Sequence, residues 1–146
     1  MSLLLDDQIC FPLYAAARAI QHHYRPLLKA LGITYPQYLV LLVLWETDGL
    51  SVSGIGGHLH LDSGTLTPLL KRMASAGLVE RRRSTADERV VTIHLTEAGR
   101  ALRARAEAVP AQLTACLAPH AGDLDVVRLK HDLDRLLDVL HRVPRS

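Results

Sequence analysis

Two side chains in this sequence carry thiol chemistry: Cys10 and Cys116, which lie 106 positions apart and form no CxxC pair. A reducing cytoplasm keeps a purely structural bridge open, so the two thiols are either inert or redox-active. Cys10 stands two residues before Pro12, and proline is tolerated only near a helix start. The thiol therefore falls in or just before a first turn, where a thiolate gains from the helix dipole and from free backbone N–H groups. The bland reading is a buried, inert cysteine in apolar surroundings. Position alone leaves both open. The phenols of Tyr24 and Tyr35 are candidate activators, because a phenol O–H donates to a thiolate and favours the charged form. Tyr24 lies 14 residues from Cys10. In one continuous helix that is about 21 Å along the axis, so Tyr24 cannot reach its own chain's cysteine but a partner subunit's Tyr24 can.

A second constellation concerns nucleic acid. The net charge is only +2, but residues 51–105 hold 9 basic and 5 acidic side chains, whereas the flanking segments are each slightly acidic. Ser63 to Ala76 is helical in period, with Leu66, Leu69, Leu70 and Met73 on one face and Gly64, Thr67, Pro68, Lys71 and Arg72 broadly opposite. Gly64 removes bulk, while Ser63, Thr65 and Thr67 offer hydroxyls to phosphates and base edges, and Lys71 and Arg72 follow one turn later. Alone this is also an ordinary amphipathic helix. A basic hairpin comes directly after it: Arg81, Arg82, Arg83, the polar turn STADE and Arg89, then the β-branched run RVVTIHL. A cationic tip there can lie along phosphates or enter a narrow minor groove. Pro68 is awkward: with Ser63 as N-cap it deletes a helical hydrogen bond, so the helix is either kinked there or starts later.

Eight histidines raise a metal-sensor reading, especially His22-His23 and His58-x-His60. Adjacent histidines point to different faces of a helix and neither cluster includes a nearby Cys or carboxylate set, so solvated histidines are expected, with no metal and no cofactor. Gly54, Gly56 and Gly57 follow no strand and make no dinucleotide loop. No Ser-His-Asp pattern is readable, and nothing suggests a catalytic cycle; the chain is read as no enzyme.

The 146 residues are one domain's worth, and 49% apolar with 4% aromatic residues favours packed helices. The start MSLLLDDQICF carries acids where a signal peptide is basic, and no apolar run reaches the roughly 20 residues of a membrane span. A soluble cytoplasmic protein without membrane contact is expected. A long first helix from Cys10 stops at Gly32; Thr34 and Pro36 open a second, YLVLLVLWE, apolar nearly all round and hence buried on all sides. A short helix around Ser53–Leu61, the Ser63–Ala76 helix and the hairpin complete a winged helix-turn-helix. Thr96 caps a further helix running through GRALRARAEAVPAQLTACL, kinked at Pro110. A last helix carries the stripe Leu124, Val127, Leu133, Leu136, Leu137 and Leu140. The fold class is thus mainly α with a small β wing. Residues 33–95 form the DNA-binding region, and residues 1–32 and 96–146 supply long apolar helices for a homodimer.

The segments QICFPLYAAARAI, YRPLLKALGITYPQYLVLLVLWE, LHLDSGTLTPLLKRM, GLVERRRSTADERVV and LTEAGRAL resemble the organic hydroperoxide regulators (OhrR) of the MarR family, from about Gln8 to Arg105. The resemblance implies a repressor of double-stranded operator DNA in which Cys10 is the peroxidatic sensor. It implies that Tyr24 and Tyr35 bond the thiolate from the other subunit. Cys116 matches the resolving cysteine of the two-cysteine branch, which forms an intersubunit disulfide and releases DNA. Ser63, Gly64, Thr65, Thr67, Pro68, Lys71 and Arg72 then belong to the recognition helix. Asp87 and Arg89 belong to the wing, with Asp87 orienting Arg89 for the minor groove, beside Arg82 and Arg83 of the basic hairpin read above. Apolar neighbours Phe11, Leu13 and Trp45 accommodate an alkyl or fatty-acyl peroxide, or are simply core. His60 departs from the aromatic expected before LDSG, and Gly54, Gly56 and Gly57 weaken the first helix of the motif by up to about 1 kcal/mol each relative to Ala. The competing reading is a MarR-type repressor released by a non-covalent phenolic or lipophilic ligand, with both cysteines structural.

Overall fold

A computed structural model describes residues 2–144. Two compact units are present, one ending at Leu113 and one beginning at Thr114. The first unit opens with a 3-10 turn, Leu5–Asp7, and continues into α1 (Cys10–Lys29). Gly32, at φ +73°, closes α1 in the left-handed conformation that places the Ile33 N–H on the Leu28 carbonyl and the Gly32 N–H on that of Lys29. α2 (Tyr35–Glu46) starts as read: the Thr34 hydroxyl accepts the Gln37 N–H at 3.4 Å while the Gln37 side chain accepts the Thr34 N–H at 3.0 Å, a full capping box with Pro36 in the first turn.

The core gathers around α2. Tyr38, Val40, Leu41 and Leu44 are buried on it, against Leu28 and Ile33, Ile55 of α3 (Val52–Leu59), Leu66, Leu69, Leu70 and Met73 of α4 (Ser63–Ser75), and Ile93 and Leu95. Each fully buried side chain of this kind contributes roughly 1.5–3 kcal/mol. Burial of α2 on all sides is corrected: Leu42 is 42% exposed, Glu46 is exposed as well, and Leu39, Val43 and Trp45 are half-buried. The wing is an antiparallel pair, β1 (Val79–Arg83) and β2 (Val91–Leu95), in the register Val79 to Leu95 and Arg83 to Val91.

Thr96 caps α5 (Glu97–Ala106) by accepting the Gly99 N–H at 3.0 Å. The kink expected at Pro110 is a full break. α5 ends at Ala106 and a separate helix, α6 (Val109–Leu117), starts with Pro110 in its first turn, where the missing N–H costs nothing. In the second unit, beyond the end of α6 and a 3-10 turn at Ala118–His120, α7 (Val126–Arg142) is capped by Asp125, which accepts the Arg128 N–H at 2.9 Å. α7 buries none of its residues; its stripe has Leu133 and Leu136 half-buried and Val127 81% exposed.

Candidate thiol site and nucleic-acid interface

Cys10 is the first residue of α1, and its thiol is free and exposed. The preceding Ile9 gives no side-chain cap, the Phe11 N–H donates to the Gln8 carbonyl at 3.3 Å, and Pro12 has no N–H. The supply of backbone donors to a thiolate is therefore thinner than an ordinary helix start offers. Phe11 is exposed and Leu13 half-buried beside it. α1 runs unbroken from Cys10 to Lys29, so the axial separation of about 21 Å from Tyr24 stands.

At the far end of α1 the two predicted phenols come together. The Tyr24 and Tyr35 rings are 5.0 Å apart, Tyr38 lies 5.8 Å from Tyr24, and Trp45 stands 6.5 Å from Tyr38. Burial pushes the Tyr24 phenol above its ordinary value; burial and then the neighbouring Tyr24 do so for Tyr35 and Tyr38. All three remain O–H donors at neutral pH. Tyr38, 2% exposed, is a member that sequence reading missed, although its i,i+3 spacing from Tyr35 was the available signal. Trp45 belongs to this aromatic row and donates its indole N–H to the Gly99 carbonyl at 2.9 Å, joining α2 to α5. Cys116 lies on α6 and is also free and exposed.

The DNA-reading candidates sit on a well-braced helix. Asp62, rather than Ser63, is the N-cap of α4, accepting the Thr65 N–H at 2.7 Å. Pro68 is then interior, and α4 continues through it to Ser75; the carbonyl that loses its donor belongs to Gly64, which like Pro68 is an exposed residue. Leu66, Leu69, Leu70 and Met73 are all buried, which turns Ser63, Gly64, Thr65, Pro68, Lys71 and Arg72 outward, with Thr67 half-buried. The turn between α3 and α4 explains one of the three glycines. The Gly56 carbonyl accepts the N–H groups of both His60 and Leu61, and a Cβ on Gly56 would stand 2.5 Å from the Leu61 oxygen. His60 occupies the left-handed position at φ 55°.

At the wing tip, Ser84 accepts the Ala86 and Asp87 N–H groups and Asp87 grips Arg89. One Asp87 oxygen accepts from the Arg89 backbone N–H at 3.0 Å and from Nε at 3.2 Å, and the other accepts from the guanidinium at 3.4 Å. These bonds hold the Asp87 carboxyl below its usual range, while the Arg89 side chain stays 91% exposed. Arg82 is paired with Glu80 at 2.7 Å, and Arg81 and Arg83 are exposed. The base of the wing is held by Asp48, another residue sequence reading missed. Its carboxylate accepts the Leu95 N–H at 2.8 Å, the Gly49 N–H at 2.9 Å and the Arg100 guanidinium at 3.1 Å. Partial burial opposes ionisation there, but these hydrogen bonds outweigh it and the carboxyl lies below its usual range.

Among the described residues no group of three or more His, Cys, Asp or Glu side chains could hold a metal ion, and no helix is long and apolar enough to cross a membrane. The family model of the SarA/Rot transcriptional regulators matches residues 22–105. The chain is similar to the organic hydroperoxide resistance transcriptional regulator of Bacillus subtilis, with 49% identity over 94% of this chain and 92% of the relative. It is also similar to AbfR of Staphylococcus epidermidis, with 37% identity, a TM-score of 0.73 and 95% of each chain covered. AbfR is known reduced and bound to DNA (38% identity, TM-score 0.76, 95% of this chain and 96% of that one). It is also known in a disulfide form (38%, 0.64, 94% and 93%). These relatives are DNA-binding transcriptional regulators rather than enzymes.

Proposed function

The chain belongs to the MarR-type winged-helix transcriptional regulators, in the organic hydroperoxide resistance group, and on that premise we propose that it is a cytoplasmic homodimeric repressor switched by oxidation of Cys10. The observation that carries this reading is the pairing of an exposed, free Cys10 at one end of α1 with the Tyr24–Tyr35 phenol pair at the other end. These two phenols reach Cys10 only from a second copy, aligned by the helices of residues 1–32 and 96–146.

The chemistry balances with an organic hydroperoxide as oxidant. The Cys10 thiolate attacks the terminal peroxide oxygen, the O–O bond breaks, and the alcohol leaves after taking a proton; Cys10 becomes a sulfenic acid. The Cys116 thiol of the partner then attacks that sulfur, an S–S bond forms, and water departs. Tyr24 and Tyr35 donate hydrogen bonds to the attacking thiolate, and no cofactor is required. In the reduced dimer, Ser63, Gly64, Thr65, Thr67, Pro68, Lys71 and Arg72 enter the major groove. Arg83 and Arg82 follow phosphates, and Arg89, steadied by Asp87, enters the minor groove. Joining Cys10 to Cys116 changes the spacing of the two α4 helices, and operator affinity falls because both half-sites must be met together.

The test is operator binding before and after one equivalent of an alkyl hydroperoxide. The native chain releases DNA and recovers it with thiol, whereas Cys10→Ser stays bound. Release from Cys10→Ser by peroxide, or by a phenolic ligand without oxidation, would replace this mechanism with the non-covalent one.

A further inference from the structure

Ahead of Cys10 lies a short segment with an unusual surface. Leu3, Leu4 and Leu5 are exposed, Leu3 at 98%, and Asp6 and Asp7 stand beside them without any basic partner among the ion pairs of the described residues. The 3-10 turn Leu5–Asp7 and the bonds from the Gln8 side chain to the Ser2 and Leu4 carbonyls, at 2.9 and 3.2 Å, give this hook a defined shape. At the other end of α1, a groove of about 550 Å³ is walled by Arg25, Leu28, Lys29, Ile33 and Tyr35. Arg25 and Lys29 are exposed and likewise have no acidic partner among those ion pairs. Apolar leucines with two carboxylates on one surface thus match an apolar groove with two cations on the other.

We propose that the Leu3–Asp7 hook of each protomer seats in the Arg25–Lys29–Tyr35 groove of a second copy of this chain, its carboxylates facing the partner's cations, and so holds Cys10 at the partner's phenols. The inference rests on the shared-sensor reading and adds the device that positions the thiol. Spacing supports it. Asp6 and Asp7 precede Cys10 by four and three residues, and Arg25 and Lys29 follow Tyr24 by one and five. With Cys10 at the partner's Tyr24 and Tyr35 and the two α1 helices antiparallel, Asp6 and Asp7 extend toward the side where Lys29 lies about 7.5 Å beyond Tyr24, while Arg25 stands within about 1.5 Å of Tyr24 along the axis. Tyr35 itself lines the groove, so the phenol site and the hook site are continuous. Exposed ion pairs contribute little singly, but two-fold symmetry repeats the contact and both copies lose it together.

The experiment uses reduced protein carrying Cys116→Ser and no oxidant, so that a failure of peroxide sensing leaves its result readable. Dimer dissociation is measured by sedimentation and Cys10 accessibility by its alkylation rate with iodoacetamide. Asp6→Lys with Asp7→Lys, and separately Arg25→Glu with Lys29→Glu, should each weaken the dimer roughly tenfold and speed alkylation. The fourfold reversal should return both within about twofold of the parent. A fourfold variant no better than either double variant, or doubles that change neither readout, would overturn the proposal even if peroxide still releases DNA from the native chain. Should a reversal unfold the chain, Asp6→Asn with Asp7→Asn is read instead. Loss of the parent's salt-dependent dissociation supports the hook, and unchanged salt dependence rejects it.

Discussion

Gly56 and Gly57 are neighbours on α3 with opposite surroundings, and alanine at each should move stability in opposite directions. Either substitution gains up to about 1 kcal/mol of helix propensity. At Gly57 nothing lies within 4 Å of the new Cβ, so the gain is kept. At Gly56 the Cβ would lie 2.5 Å from the Leu61 oxygen, against the 3.4 Å where ordinary contact begins, so backbone must retreat by about 0.9 Å. Overpacking of that kind costs roughly 1–3 kcal/mol. Moving the Leu61 peptide also loosens its N–H bond to the Gly56 carbonyl, now 3.1 Å, for about another 1 kcal/mol. The net expectation is stabilisation by up to about 1 kcal/mol for Gly57→Ala and destabilisation by about 1–3 kcal/mol for Gly56→Ala. Urea unfolding of the two variants reads this as midpoints on either side of the parent's. Because the Leu61 turn aims α4, Gly56→Ala should also lose operator affinity while Gly57→Ala keeps it. Midpoints shifting the same way, or a Gly56→Ala protein as stable as Gly57→Ala, would refute the close-approach argument.

Three other outcomes follow from the geometry. On the proposed reading, Arg89→Ala should weaken operator binding by about 1–3 kcal/mol in titrations at fixed salt, and Asp87→Ala by less, since Asp87 bonds the guanidinium and Arg89 is proposed to make the DNA contact; equal losses would contradict that division. Asp48 has a depressed folded-state carboxyl, so its contribution is present above its unfolded value near 3.8 and is lost as pH falls through the lower folded value. Unfolding midpoints measured from pH 6 down to pH 2 should therefore fall less steeply for Asp48→Asn than for the parent. Thr34→Ala removes half of the α2 capping box and should cost about 1 kcal/mol of stability by urea unfolding, with no change in Cys10 alkylation.

Much of this architecture is legible in the sequence because its signals are local. The buried face of α4 follows from the spacing of Leu66, Leu69, Leu70 and Met73, and the α2 start from Thr34 and Pro36. Local signals failed where a neighbour in sequence competed: Asp62 takes the cap that Ser63 was also suited to hold, and Pro110 opens a new helix instead of bending the old one. Hydropathy alone could not show that Leu42 escapes the core, since that depends on what packs against α2. Asp48 was invisible for a different reason. Its partners Leu95 and Arg100 are 47 and 52 positions away, and no pattern around an Asp-Gly turn announces them. Of the thiol site, the phenol pair and the impossibility of contact within one chain were readable; the i,i+3 spacing of Tyr38 from Tyr35 was also there to be read, but its burial beside Tyr24 and the thin supply of N–H donors at Cys10 needed coordinates.

The central claim is that sensing is shared between two copies, and mixed dimers test it most directly. One protomer carries Cys10 with Cys116→Ser, the other carries Cys116 with Cys10→Ser, and the mixture is treated with one equivalent of an alkyl hydroperoxide. Non-reducing electrophoresis should show a covalent heterodimer that thiol reverses, while neither variant alone forms that Cys10–Cys116 bond. A mixture that yields no covalent heterodimer, although Cys10 is oxidised to sulfenic acid, would contradict the account.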